Sequence, residues 1–197
     1  MSNFSKQKGF TLIELLVVIA ILAVLSIAVV LVLNPAELIR QGRDATRMSD
    51  LSAINSAIAL FTADQPGGSG WIGATTTCTN GTSIPAAAAT TTCTTNALTT
   101  ITGTGWINIR FSDISSGSPL PKLPMDPVNS AASTACVGTP DGCFYGYKAS
   151  STFGIYKIYA NMESNKYKTG ATADVESNTK DGGTSDTWYE IGSNMSL

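Results

Sequence analysis

The apolar positions fall first into one unbroken run. From Phe10 to Leu33 only Thr11, Glu14 and Ser26 carry polar side chains. As a helix the run is about 36 Å long at ~1.5 Å per residue, enough to cross a ~30 Å hydrocarbon core with some tilt. Lipid offers no partner to backbone amides and carbonyls, so a spanning run is expected to be helical. Asn34-Pro35 closes it. Proline lacks an amide donor and disfavours helix in the residue before it, so a kink or short break is expected near Pro35.

From Ala36 to about Ala63 the pattern becomes amphipathic. Leu51, Ile54, Ile58 and Phe61 recur at three- and four-residue spacing, with Leu38, Ala45, Met48 and Ala57 near the same face. Glu37, Arg40, Arg43, Asp44, Arg47 and Asp50 occupy the other side. Their spacings pair neighbouring turns, which predicts a solvated, locally paired face. Asp64-Gln65-Pro66-Gly67-Gly68 ends the helix.

Beyond it the periods shorten. Trp106–Phe111, Phe144–Tyr147 and Gly154–Glu163 read as strands, with Lys148–Phe153 joining the last two as a hairpin. Trp188–Gly192 reads as a last short strand. The threonine-rich stretch Thr75–Thr104, interrupted by Pro85 and four alanines, reads as a surface loop region with room for short strands. Asp113–Pro127 is a turn-rich connector, and Thr169–Thr187 a polar loop.

Composition narrows the chemistry. The chain has 197 residues, of which 13% are charged, against ~25% in an ordinary soluble domain. Net charge is −2, which gives no electrostatic reason to expect nucleic acid as a partner. Histidine is absent, which excludes His-based triads, His general bases and His metal ligands. Lys6 and Lys8 precede the apolar run and favour a cytoplasmic N-terminus; Arg40, Arg43 and Arg47 beyond it are offset by Glu37 and Asp44. Four cysteines in an exported chain, Cys78, Cys93, Cys136 and Cys143, allow three disulfide pairings. Short loop closure favours Cys78–Cys93 with Cys136–Cys143. Zinc lacks both a Cys-x-x-Cys spacing and a histidine.

Gly9-Phe10-Thr11-Leu12-Ile13-Glu14-Leu15-Leu16-Val17 closely resembles the prepilin signal of type IV pilins and type II secretion pseudopilins. The resemblance implies a leader, residues 1–9, cut between Gly9 and Phe10 by a prepilin peptidase that also N-methylates Phe10. It makes Glu14 the glutamate that guides assembly. It divides the chain into a membrane and filament-core helix (10–33), an amphipathic helix entering the head (34–64) and a disulfide-bearing head (65–197). The expected fold is α+β: a long N-terminal helix, kinked near Pro35, packed on a small antiparallel sheet. The expected function is structural, not enzymatic. The chain would be a subunit stored in the cytoplasmic (inner) membrane, spanning it once, and polymerised into a periplasmic or surface filament. Implied partners are copies of itself or other pilin-like subunits, the peptidase/methyltransferase, an inner-membrane assembly platform and membrane lipid. Leu123-Pro124-Met125-Asp126-Pro127 resembles the Pro-x-Asp-Pro segment of pseudopilins, while the large threonine-rich loop suits a surface-exposed pilin.

No cofactor is expected, with one reservation that the resemblance supplies. Major pseudopilins hold calcium in a loop near the C-terminus, and Asp126, Asp141, Asp174, Glu176, Asp181 and Asp186 offer oxygen ligands in loops. Their spacing matches no ordered calcium loop. The competing class is a membrane-anchored or signal-peptide-exported binding module or enzyme. Ser26-Ile27-Ala28 has the small-x-small form of a secretory cleavage site, which would start the mature chain at Val29. Against it, the apolar run continues past Ala28 and a carboxylate interrupts it near its start.

Overall fold

A computed structural model of the chain describes residues 9–71, 73–86, 89–136 and 142–197. Helix α1, Leu12–Leu33, is followed by α2, Pro35–Asp64. Asn34 between them takes a left-handed conformation, φ 40°, which asparagine tolerates better than most residues. Its carbonyl accepts from the amides of Glu37 and Leu38 and so opens α2, with Pro35 at the first helical position, where its missing amide costs nothing. The break expected near Pro35 is therefore one residue wide.

The chain forms two compact units, one ending at Ile39 and the other running from Arg40 to Leu197. In the first, Leu12–Val30 has a mean hydropathy of 3.1, and the described side chains of α1 are all exposed.

The second unit is built on a five-stranded sheet in the order β4-β1-β5-β6-β7. The strands are β1 Thr75–Cys78, β4 Thr94–Thr95, β5 Tyr145–Ala149, β6 Tyr156–Ala160 and β7 Tyr189–Gly192. All pairs are antiparallel except β1 with β4. Strands β2, Ser83–Ala86, and β3, Ala89–Thr92, pair antiparallel in a separate two-stranded sheet. A short helix α3, Asn178–Asp181, precedes β7. The architecture is α+β, as expected.

Side chains alternate across a strand, and the alternation sorts the core into two. Tyr145, Tyr147, Ala149, Tyr156, Ile158 and Ala160 join Leu51, Ile54, Ala57, Ile58 and Phe61 of α2. Tyr159 instead joins Cys78, Ile84, Cys93, Phe144 and Trp188. At Gly146 a Cβ would lie 2.5 Å from Ile84 Cγ2, so only glycine lets that second cluster approach β5. Tyr145 and Tyr156 donate their hydroxyls to Asp50 (2.8 Å) and Asn55 (2.7 Å), tying α2 to the sheet.

One sequence expectation is refined and one corrected. The short strands for which Thr75–Thr104 left room are present as β1 to β4, and β1 lies inside the sheet. Trp106–Phe111 is not a strand. Among the described residues only isolated bridges, Trp71 with Ile109 and Thr102 with Arg110, touch it, and a 3₁₀ turn begins at Phe111. Trp106, Ile107, Ile109 and Phe111 are all buried, so packing rather than ladder pairing produced the apolar pattern.

Candidate functional site

Of the six charges expected on a solvated face of α2, Asp44 and Arg47 depart from it, while Glu37, Arg40, Arg43 and Asp50 stay partly exposed. Arg47 and Asp44 are wholly buried. The Arg47 guanidinium forks onto Asp126, Nε to Oδ2 at 2.6 Å and Nη2 to Oδ1 at 3.0 Å. It also reaches Asp44 at 2.8 Å and Glu163 at 2.6 Å. Arg43 closes on the same Glu163, with Nε 2.9 Å from Oε1. Backbone amides complete the set: Asp44 accepts from Glu163 and Ser164, and Asp126 from Val128 and Asn129. Burial alone would raise the Glu163 pKa, but hydrogen bonds from Arg43 and Arg47 win and lower it. Here the Pro-x-Asp-Pro segment acquires a physical role, because its Asp126 anchors α2 to the chain leaving the connector. Sequence spacing caught only the Asp44–Arg47 pair; Asp126 and Glu163 lie far along the chain and leave no local signal.

The other carboxylates singled out as calcium ligands are spoken for by amides. Asp174 accepts from Gly170, Glu176 and Ser177. Glu176 accepts from Met162 and Thr169, Asp181 from Gly183 and Glu190, and Asp186 from Asn178. Asp141 lies outside the described residues. Among the described residues, one group of metal-type ligands converges, Cys136, Cys143 and Glu163, with ligand atoms within 4.8 Å of one another. Its sulfurs are joined to each other and its carboxylate is held by two arginines. Cys78 is joined to Cys93, with Cα atoms 5.8 Å apart, and Cys136 to Cys143, at 5.2 Å.

At the start of α1, Gly9 and Phe10 are exposed and lie ahead of the first helical turn. Thr11 is the N-cap. Its amide and hydroxyl both donate to Glu14 Oε2, at 2.8 and 2.7 Å, and the Glu14 amide donates back to Thr11 Oγ1. This reciprocal capping box satisfies the first orphan amides of the helix. Thr-x-x-Glu ahead of an apolar run is its signature, so the motif was open to reading from sequence. The Gly9–Phe10 bond thus sits on non-helical, exposed backbone, two residues before a sharply defined helix start. Lys6 and Lys8 lie outside the described residues.

Comparison with known proteins bears on this end of the chain. The family model of the prokaryotic N-terminal methylation motif matches residues 4–30. No curated protein and no solved structure gives a significant match. The matched span takes in the Gly9–Phe10 bond, the capping box with Glu14 and most of the apolar helix. Over residues 4–30 the chain therefore carries the N-terminal signal of type IV pilins and pseudopilins.

Proposed function

We propose that this chain is a structural subunit of a type IV pilus-like or type II secretion pseudopilus filament, held in the cytoplasmic membrane until it is processed and polymerised. The observation that carries the reading is the methylation motif laid on an apolar helix whose described side chains are all exposed. A helix of that composition needs either lipid or other apolar helices around it. Membrane storage and filament packing supply the two in turn. On this reading a prepilin peptidase cuts between Gly9 and Phe10, methylates Phe10, and leaves an amine that stays charged.

That amine and the Glu14 carboxylate are each costly in a bundle of apolar helices, because no water solvates them. Glu14 lies about 6 Å along the helix from Phe10, at ~1.5 Å per residue. A neighbouring subunit displaced axially by that amount brings its amine to this carboxylate, and the pair sets the stagger between subunits. Copies of this chain or other pilin-like subunits are the partners, and an assembly platform in the membrane adds them.

Mass analysis of the mature protein tests the processing step. The expected N-terminus is Phe10 bearing one extra methyl group. A chain starting at Val29 would mean an ordinary secretory signal and would end the filament reading.

A further inference from the structure

Alternation along β6 turns Lys157 away from α2, onto the side where Tyr159 joins the second cluster. Its side chain has no exposure at all. The ammonium finds three oxygens: Glu190 Oε1 at 2.9 Å, Thr184 Oγ1 at 2.9 Å and the Met195 carbonyl at 2.7 Å. The Tyr159 ring lies beside it, 5.2 Å from Nζ to centroid. Three donors meet three acceptors, so the ammonium is fully satisfied.

The cradle around it is equally complete. Glu190 is buried, and its second oxygen accepts from the amides of Thr184 and Ser185. Asp181 accepts the Gly183 and Glu190 amides at 2.7 and 2.8 Å, capping an outward amide of edge strand β7. The turn after α3, strand β7 and the chain near Met195 thus all close on one positive charge.

A carboxylate, a hydroxyl and a carbonyl gathered by a loop form the oxygen set that a hard divalent cation takes. In this chain the set is filled by its own lysine. A calcium ion there would face the ammonium across a few ångströms of dry interior, where like charges repel strongly. We infer that Lys157 is a tethered cation that organises the C-terminal loop, so that this head holds its shape without calcium. Calcium does not fit this set of residues while Lys157 fills it. The inference is independent of the filament reading.

Thermal unfolding of the full-length protein in detergent, followed by near-ultraviolet circular dichroism, tests it. The melting temperature is expected to be the same after chelation with EGTA as in millimolar calcium. Lys157→Met strands the buried Glu190 charge and lowers the melting temperature by roughly 10 °C. Adding Glu190→Gln to that variant removes the stranded charge and restores part of the loss. A wild-type protein that gains stability with calcium or loses it in EGTA would overturn the inference. So would a Lys157→Met protein that melts like wild type, or a double variant no more stable than the single one. Where Lys157→Met does not fold at all, the calcium and EGTA measurements on wild type decide.

Discussion

Glu176 sits in the loop after β6, almost without exposure, its oxygens accepting the amides of Met162 and Thr169. Burial pushes its pKa up to about 8 from an ordinary 4.5; the two amides pull the other way, and Asp44 and Asp174 add to the rise. The folded state therefore holds this proton more tightly than the unfolded chain does. Its stabilisation is full below about 4.5 and drains away as pH rises towards about 8. Glu176→Gln keeps an acceptor and cannot ionise. The melting temperature of wild type should consequently fall more steeply between pH 5 and pH 8 than that of the variant; equal slopes would show that Glu176 does not hold its proton. Arg47 gives the second residue-scale expectation. Removing it as Arg47→Met leaves Asp44, Asp126 and Glu163 short of a buried cation, at a cost of about 3–5 kcal/mol in denaturant unfolding. Arg47→Lys should recover little, because a single ammonium cannot fork onto Asp126. A loss below about 1 kcal/mol for Arg47→Met would mean that the cluster does not secure α2.

At the scale of elements, what was legible followed from periodicity that one chain segment carries by itself. The apolar run, the stop at Asn34-Pro35 and the stripe Leu51–Ile54–Ile58–Phe61 are each set by local spacing, and each has its place in the structure. β5 and β6 emerged for the same reason, as short apolar segments around a tight connector. The threonine-rich stretch left room for short strands but did not place them. Threonine suits both a pleated strand and a polar loop, and only pairing with distant Tyr147 and Lys148 makes Thr75–Cys78 a strand. Trp106–Phe111 failed in the opposite sense, since its alternation reflects burial against α2 rather than a ladder. The solvated face failed at Asp44 and Arg47 because ion pairs at short spacing look the same whether water or Asp126 and Glu163 surround them. The N-terminal motif was the most legible of all, because its residues are contiguous.

On the scale of the whole molecule, the described side chains of one apolar helix are all exposed, while the unit from Arg40 onward has its own core of sheet, disulfides and buried ion pairs. The proposed function assigns polymerisation to the helix. Under the proposed function Glu14 is the pivot of assembly, and it has two separable properties. It completes the capping box with Thr11, a place that glutamine can also fill. It also carries a charge, which glutamine lacks. Under the proposed function, Glu14→Gln is expected to keep the start of α1, insertion and cutting after Gly9, and to remove the charged partner of a neighbour's amine. An unpaired charge among apolar helices costs ~2.5–3.5 kcal/mol, and each ~1.4 kcal/mol is tenfold in an equilibrium. The decisive measurement is the filament yield of cells expressing the Glu14→Gln protein, with the amount of cut protein in the membrane measured beside it. The account predicts normal amounts of cut protein and filaments reduced at least about tenfold; filaments of normal number and length would contradict it.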